Sequence, residues 1–271
     1  MKIFAVADVH GHYTEMKQAL DKEGFEENNP DHLLVTIGDM FDRGEESEKI
    51  FKYIYELNAK GKAVCLKGNH TDFLLDYLTG KSITPFNFIF NGTNKTIDDF
   101  LHRTDSFYSW CLIDKDIKEP TYGNFADFIR EARKEINEEY PLLRGFLETR
   151  PYYFETKNYI FTHSGIDTSI GDWHKPKRIY HHFEGWEACI WNIDFFGEEI
   201  KNTDKTIVIG HTHNRELRDK FKHLINEKEC NQDDILIRKD KKIIALDACT
   251  ILSKKVNVLV VEDELYWKNM K

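Results

Sequence analysis

The segment 33–44 reads LLVTIGDMFDRG: an apolar, largely β-branched run stops at Gly38, and Asp39, Asp42 and Arg43 follow at once. A short apolar run that ends at glycine is typical of a buried β-strand. The same layout recurs in four other segments, namely 2–11 (KIFAVADVHG), 62–70 (KAVCLKGNH), 159–165 (YIFTHSG) and 206–213 (TIVIGHTH). Five predicted strands therefore end at polar residues that lie beside a glycine.

Helical patterns separate the first three of these strands. Apolar side chains fall on one face in three stretches, at residues 13–23, 46–59 and 72–79. Gly61 and Gly80 provide stop signals after the second and third stretches. The first 80 residues therefore alternate strand and helix, which favours parallel strands covered by helices.

The later strands lie beyond a segment of different character. Residues 81–150 contain no clear strand and several helical patterns, and no Ser/Gly/Pro-rich linker bounds them. We therefore expect a helical insertion within a single domain that spans residues 1–271. Further strands are predicted at 152–155, 243–246 and 256–262, and the last should be buried on both faces because its apolar residues are consecutive.

The polar residues that follow the five strands indicate a metal site. Binding sites in α/β sheets form where the carboxyl ends of parallel strands meet, and glycine permits a close backbone approach there. Aspartate, asparagine and histidine without cysteine suit Mn, Fe, Zn, Ni or Mg better than a structural thiolate site. At least two carboxylates, one amide and three histidines fit two ions that share a carboxylate and a water or hydroxide.

Each motif also has an ordinary structural interpretation. The triplet GNH at 68–70 suits a turn before a helix, and HSG at 163–165 suits a strand end with a hydrogen-bonded histidine. For any one motif alone that interpretation is favoured. For all five together it requires five coincidences at the same topological position, so the metal interpretation is preferred.

Length and charge restrict the classes of function. The chain has 271 residues, with 38 Lys and Arg against 47 Asp and Glu, for a net charge of −9. That balance disfavours a strong nucleic-acid surface. No apolar run approaches the length of about 18 residues that a membrane span needs, and we expect no signal peptide. The five cysteines form no CxxC pair, so we expect reduced thiols and a cytoplasmic location.

In this order the motifs resemble the signature of the calcineurin-like metallophosphoesterases, and within them the phosphoprotein phosphatase (PPP) branch. That signature runs G-D-x-H-G, G-D-x-V-D-R-G, G-N-H-E, a histidine followed by small residues, and G-H. The extension Asp42-Arg43-Gly44 is the feature of this branch. The resemblance covers roughly 1–95 and 145–262. It implies an α/β (α+β) four-layer αββα sandwich, with two mixed β-sheets flanked by helices and a helical insertion around 81–150.

The resemblance also implies a role for each matched residue. The metal ligands would be Asp8 and His10 for the first ion, Asp39 as the bridge, and Asn69, His163 and His211 for the second ion. His70 would protonate the leaving group while Asp42 orients its imidazole. Arg43 would bind the phosphoryl oxygens, and Asn69 would also contact the substrate. The implied cofactor is two divalent ions, with Mn²⁺ favoured and Fe, Zn, Ni or Mg as alternatives.

The chain departs from the family pattern at several positions. Thr71 stands in the place of a glutamate and suits the N-cap of the following helix. His213 extends the last motif to GHTH, where ligation of the first ion and a merely hydrogen-bonded histidine are equally supported. Ile193 stands where bacterial and phage relatives often carry a phosphate-binding arginine. Arg178 is an alternative to that arginine, although a solvated loop is favoured for it, and His12 is expected at an exposed helix start rather than in the site.

The resemblance favours one function and leaves others open. The favoured one is a serine/threonine-type protein phosphatase in which a metal-bridging hydroxide attacks phosphorus. The alternative is a dinucleoside polyphosphate (diadenosine tetraphosphate) hydrolase, because bacterial symmetrical enzymes of that kind share these motifs. A nucleic-acid end phosphatase is disfavoured by the acidic balance, and a non-catalytic interaction module by the complete set of motifs. The expected partner is thus a phosphorylated substrate, either a phosphoprotein or a nucleotide, and not a membrane.

Overall fold

The computed structural model describes residues 1–81, 83–103, 122–226 and 231–265 of the chain. The strands described are β1 (Lys2–Val6), β2 (His32–Thr36), β3 (Ala63–Cys65), β4 (Tyr153–Glu155), β5 (Tyr159–Thr162), β6 (Ile179–Tyr180), β7 (Phe183–Glu184), β8 (Thr206–Ile209), β9 (Leu236–Ile237), β10 (Ile243–Ala245) and β11 (Leu259–Glu262). The helices described are α1 (Tyr13–Lys22), α2 (Ser47–Ala59), α3 (Asn69–Thr79), α4 (Pro85–Phe90), α5 (Thr93–Phe100), α6 (Tyr122–Glu139), α7 (Pro141–Glu148), α8 (Gly185–Ile190), α9 (Asn214–Lys220) and α10 (Thr250–Ser253). None of these helices is long and apolar enough to cross a membrane.

The strands form two mixed sheets and a separate hairpin. The first sheet has the order β11-β1-β2-β3, in which β1, β2 and β3 are parallel and β11 is antiparallel to β1. The second sheet has the order β4-β5-β8-β10-β9, with a parallel centre and an antiparallel strand at each edge. Strands β6 and β7 form a two-stranded antiparallel hairpin, with no other partner strand among the described residues.

Alternate side chains of the central strands pack on opposite faces of the sheet, in different apolar clusters. Along β1, Phe4 and Val6 belong to the apolar cluster that contains the helices α1 and α2. Ile3 and Ala5 belong instead to a second cluster, which also includes Phe161 of the other sheet. A third cluster packs the outer face of the second sheet against the segment that follows α8. The predicted sandwich of two mixed sheets flanked by helices is therefore confirmed.

The described part of the predicted insertion consists of helices α4 to α7 joined by turns and contains no strand. Its helices α5, α6 and α7 contribute Ile97, Ile136 and Phe146 to the same apolar cluster as the outer face of the first sheet. Residues 104–121 of the segment lie outside the described residues. That the chain forms one domain over 1–271 stays a prediction.

Two predicted elements differ in detail from the structure. The last strand packs on an apolar cluster with each face, Val260 on one and Val261 on the other, but it is an edge strand next to β1 and these side chains are only half-buried. Helix α3 begins at Asn69, three residues earlier than predicted. Thr71 is therefore not the N-cap: it lies in the first turn, where its hydroxyl accepts a hydrogen bond from the Gly68 N–H at 3.2 Å.

Candidate active site

The loops that leave the sheets adopt an uncommon backbone conformation. Positive φ angles are found at six of the predicted site residues, which are Asp8, His10, Asp39, Asp42, Arg43 and His211. A non-glycine residue in the left-handed region costs about 1–3 kcal/mol and persists only where the surrounding structure holds it. Such a concentration at one sheet edge is typical of a functional site.

Two glycines let these loops approach the carboxylates closely. A Cβ at Gly68 would lie 2.1 Å from Oδ1 of Asp39, and a Cβ at Gly210 would lie 2.0 Å from Oδ2 of Asp8. Both distances are far shorter than a van der Waals contact. Glycine is therefore required at these positions by the carboxylates that they face.

Asp39 lies at the centre of the cluster. Its Oδ1 accepts a hydrogen bond from the His70 N–H at 3.0 Å, and its Oδ2 lies 3.3 Å from Nε2 of His163. The Asp39 carboxylate belongs to two groups of close ligand atoms, one with His10 and His70 and the other with His163 and His211. Burial disfavours the charged form, but His163 and His70 lower the pKa of Asp39 well below its usual value. Asp39 is thus the residue that both groups of potential ligand atoms share.

The imidazoles of His10 and His163 are oriented by backbone carbonyls. Nδ1–H of His10 donates to the carbonyl of Phe41 at 2.9 Å, and Nδ1–H of His163 donates to that of Ile37 at 3.0 Å. Because a carbonyl only accepts, Nε2 of each ring is the atom left to face the site. Metal-binding histidines usually have this arrangement.

The surroundings of His163 favour positive charge at Nε2. That nitrogen lies 2.9 Å from Oδ1 of Asn69 and 3.3 Å from a carboxylate oxygen of Asp39. Burial lowers the pKa of His163, but Asp39 more than compensates, and the pKa rises to about 9. A position that stabilises a proton beside two oxygens also suits a divalent cation.

His211 supplies a buried nitrogen with no partner. Its Nε2 makes no hydrogen bond to any described residue, whereas its backbone N–H donates to Oδ2 of Asp8 at 2.9 Å. Burial and the neighbouring His163 lower the pKa of His211 to about 3, so the ring is neutral. An unpaired, neutral imidazole nitrogen in a buried carboxylate cluster fits a metal ligand.

Asp8 is close to the cluster without belonging to either group of ligand atoms. The residue is buried, and burial together with the nearby Asp247 raises the pKa of Asp8 well above its usual value. Two buried carboxylates without a cation are unfavourable neighbours, and a divalent ion would relieve that repulsion. The donor set as a whole therefore fits the expected group of two divalent ions.

A separate pair is formed by His70 and Asp42. Nδ1–H of His70 donates to Oδ2 of Asp42 at 2.7 Å. The fully buried Asp42 carboxylate also accepts hydrogen bonds from Thr93 at 3.2 Å and Thr96 at 2.9 Å. The orientation of the imidazole is thus set by a carboxylate that the insertion helix α5 holds in place.

Arg43 contacts two histidines of the first group of ligand atoms. Its guanidinium contacts Nε2 of His10 and Nε2 of His70, each at 2.9 Å. Its backbone N–H donates to the carbonyl of Gly92 at 3.2 Å. Gly92 has a φ of 85°, and a Cβ there would lie 2.4 Å from the Arg43 nitrogen, so the loop before α5 packs directly on the arginine.

The structure shows the surroundings of His213 and Arg178. His213 is half-buried: its Nδ1 lies 2.9 Å from Glu216, and its Nε2 lies 4.0 Å from Asp247. His213 belongs to neither group of ligand atoms, so its ligation stays a prediction. The expectation of a solvated Arg178 is wrong, because both terminal nitrogens bind the carboxylate of Glu198 at 2.7 and 2.5 Å.

The expectation of an exposed His12 is also wrong. The ring is buried, and its Nδ1 lies 2.7 Å from the carbonyl of His10 while its Nε2 lies 3.0 Å from Nζ of Lys254. The residue sits at the start of α1, where the chain turns back from the cluster. His12 thus supports the turn that presents His10.

Sequence reasoning missed three residues that surround the site. Thr93 and Thr96 bind Asp42, but α5 was recognised only as part of an insertion, and threonines on a helix carry no signal of such a role. Asp247 follows the predicted strand 243–246, much as Asp39 follows the strand 33–37 after one glycine. That repeat of the strand-then-aspartate layout was the available signal.

A two-sheet sandwich with this cluster at its edge defines a metallophosphoesterase. The chain belongs to the calcineurin-like phosphoesterase family, whose pattern matches residues 1–245. This confirms the resemblance seen in the motifs and assigns the chain to a class of phosphoester hydrolases. The family uses a dinuclear centre of divalent metal ions.

Among curated proteins, the chain is 26% identical over 187 residues to the asymmetrical bis(5'-nucleosyl)-tetraphosphatase PrpE of Halalkalibacterium halodurans, covering 66% of this chain and 64% of that relative. The chain thus covers slightly less than two thirds of this relative. It is 25% identical over 228 residues to the protein of the same name from Oceanobacillus iheyensis, covering 78% and 77% of the two chains. Among solved structures, a cold-active protein-tyrosine phosphatase of a psychrophilic Shewanella superposes with a TM-score of 0.51 at 17% identity, over 96% of this chain and 75% of that one. That likeness concerns the fold.

Proposed function

We propose that this chain hydrolyses phosphoesters or phosphoanhydrides with two divalent ions held at the edge of its sheets. The carrying observation is that the Asp39 carboxylate belongs to two groups of ligand atoms at once. The proposed ligands are Asp8, His10, Asp39, Asn69, His163 and His211. We favour Mn²⁺ because oxygen and imidazole donors without thiolate suit it, and Fe, Zn, Ni or Mg are the alternatives.

The remaining residues have distinct chemical tasks. Divalent ions in such a site supply a deprotonated water at neutral pH and offset the charge of phosphoryl oxygens. Arg43 binds those oxygens, since a guanidinium matches two of them at once. His70 gives its Nε2 proton to the departing oxygen, and Asp42 holds the ring in the required orientation and stabilises its charged form. The position of Asn69 beside His163 also suits contact with the substrate.

Two substrate classes are supported by different observations. The relatives named bis(5'-nucleosyl)-tetraphosphatase support a dinucleoside polyphosphate. The extension Asp42-Arg43-Gly44, a feature of the phosphoprotein phosphatase branch, fits a serine/threonine-type phosphoprotein, but diadenosine tetraphosphate hydrolases share these motifs, so it does not separate the two classes. We place the dinucleoside polyphosphate first because relatives of that name are similar to this chain over 187 and 228 residues, and the phosphoprotein second.

A substrate panel with the Mn²⁺-loaded protein tests this order. We expect diadenosine tetraphosphate to be hydrolysed with at least a roughly tenfold higher kcat/KM than phosphoserine and phosphotyrosine peptides or a 5'-phosphorylated oligonucleotide, because a tenfold ratio needs only about 1.4 kcal/mol of extra transition-state binding. The products separate two modes of cleavage, since a symmetrical cut yields two ADP and an asymmetrical cut yields ATP and AMP.

The metal-free protein, prepared with a chelator, is the control for this panel. A phosphopeptide preferred over diadenosine tetraphosphate would reverse the order of substrates. No metal-dependent hydrolysis of any member of the panel would refute the proposed function itself.

A further inference from the structure

A large cavity opens beside the proposed acid and arginine. Its volume is about 810 Å³, and one end of it is lined by Arg43, Asn69 and His70. Sites for small organic ligands typically have volumes of about 300–1,000 Å³. The cavity therefore has room for more than a phosphoryl group, and its remaining walls should recognise the rest of the substrate.

Three aromatic rings that contact one another also line the cavity. The Phe183 and Trp191 rings are nearly parallel, with an angle of 5° and centroids 5.0 Å apart. Phe73 meets Trp191 edge-on at 5.5 Å, and His70 meets Phe73 edge-on at 5.4 Å. We call Phe73, Phe183 and Trp191 the aromatic wall. It runs from the proposed acid to the β6–β7 hairpin, and all three residues are half-buried.

The hairpin adds polar groups to the rim of the cavity. Strands β6 and β7 are joined by His181 and His182, which are both exposed and both line the cavity. With Arg43 and His70, the lining thus contains four side chains that are cationic or become so on protonation. One carboxylate, Asp76, also lines it. This balance suits an anionic ligand longer than one phosphate.

The departure at Ile193 fits the same picture. Where bacterial and phage relatives often carry a phosphate-binding arginine, this chain places an isoleucine that lines the cavity and is 46% exposed. An apolar side chain there cannot hold a second phosphate. It does extend the apolar surface next to Trp191.

We propose that this cavity binds the nucleoside end of a nucleoside polyphosphate, with the base against the aromatic wall and the phosphate chain directed toward Arg43. This inference rests on the proposed function and names the part of the substrate that the site recognises. Aromatic side chains stack on any base, because every base presents a flat π-face. His181 and His182 then lie where they can donate to ribose or phosphate oxygens.

The test compares two substrates of the Mn²⁺-loaded full-length protein, diadenosine tetraphosphate and inorganic tripolyphosphate. Both contain phosphoanhydride bonds, but only the first carries a nucleoside. In Phe183→Leu the ratio of the two kcat/KM values should fall by about tenfold, chiefly through a higher KM for the nucleotide, because a flat ring is lost while apolar volume is kept. Phe183→Tyr, which keeps the ring, should preserve the ratio.

Calorimetric binding of AMP and inorganic phosphate provides a readout independent of turnover. AMP should bind the wild type at least about tenfold more tightly than phosphate, and Phe183→Leu should abolish that difference. Equal losses on both substrates, an unchanged ratio, or AMP binding no tighter than phosphate would each overturn the inference. Hydrolysis of tripolyphosphate in those cases would leave the proposed function standing, whereas nucleoside-dependent AMP binding without any hydrolysis would uphold the inference and refute the function.

Discussion

Replacing His163 with alanine is expected to lower the Mn²⁺-dependent hydrolysis rate by at least about 10²-fold, since loss even of a group that merely supports a metal ligand costs about 10–100-fold. The physical reason is the position of Nε2, which lies between Oδ1 of Asn69 and the Asp39 carboxylate. Without the imidazole, a cation there would lose its nitrogen donor. The measurement is kcat/KM for diadenosine tetraphosphate and for nitrophenyl phosphate over a range of Mn²⁺ concentrations.

His223→Ala is the matched control for this variant. His223 is an exposed histidine outside every motif of the site, and among the described residues its one hydrogen bond is from Lys239 to its backbone carbonyl. The control should keep the wild-type rate. Full activity of His163→Ala at every Mn²⁺ concentration would contradict its assignment as a ligand.

Replacing His70 with asparagine should reduce the hydrolysis of phosphoserine far more than that of nitrophenyl phosphate. A serine alkoxide is a poor leaving group that needs a proton, whereas nitrophenolate is a stable anion. General acid catalysis is worth about 10²–10⁴-fold, so the loss on the alkyl ester should fall in that range. Asp42→Asn should show the same preference with a smaller loss, because the imidazole remains but loses its carboxylate partner.

The metal content of His70→Asn distinguishes a leaving-group acid from a metal ligand at this position. His70 shares a group of close ligand atoms with His10 and Asp39, so it also has the position of a ligand. If His70 is the acid, Mn²⁺ binding in the variant should equal that of the wild type. Equal losses on both esters, or the loss of one bound ion, would contradict the assignment.

Most of the sheet could be predicted from the sequence because its signal is local. Apolar runs such as 33–37 and 206–209 end at glycine, and each became a strand within a residue or so of the expected bounds. The burial of the strand at 256–262 was overestimated, because a continuous apolar run does not distinguish a central strand from an edge strand. In β11 those side chains are only half-buried, since one of its sides has no neighbouring strand.

The candidate site was only partly accessible to the same reasoning. The spacing of Asp39, Asp42 and Arg43 after a strand identified residues whose side chains the fold does bring together. Contacts between distant segments carry no such signal. Thr96 binds Asp42 from 54 positions away, and the pairing of Arg178 with Glu198 depends on how two loops meet.

The histidines show the same limit most clearly. His12 and His10 lie two residues apart, yet one ring is turned toward a lysine and the other toward the cluster. Their difference follows from the turn that begins α1, in which His10 has a φ of 47°. The pair His181 and His182 lines the cavity only because it joins β6 to β7, which sequence alone does not show.

We propose that the Asp39 carboxylate contributes to two divalent metal sites. The number of metal ions bound per chain is the direct test of that role. Metal-free protein should be dialysed against Mn²⁺ and its bound metal counted per chain, for the wild type and for Asp39→Asn. Two ions should bind to the wild type, and the variant should lose binding at both sites, because both groups of ligand atoms include this one carboxylate. A wild type that binds one ion or none, or a variant that still binds two with unchanged affinity, would contradict it.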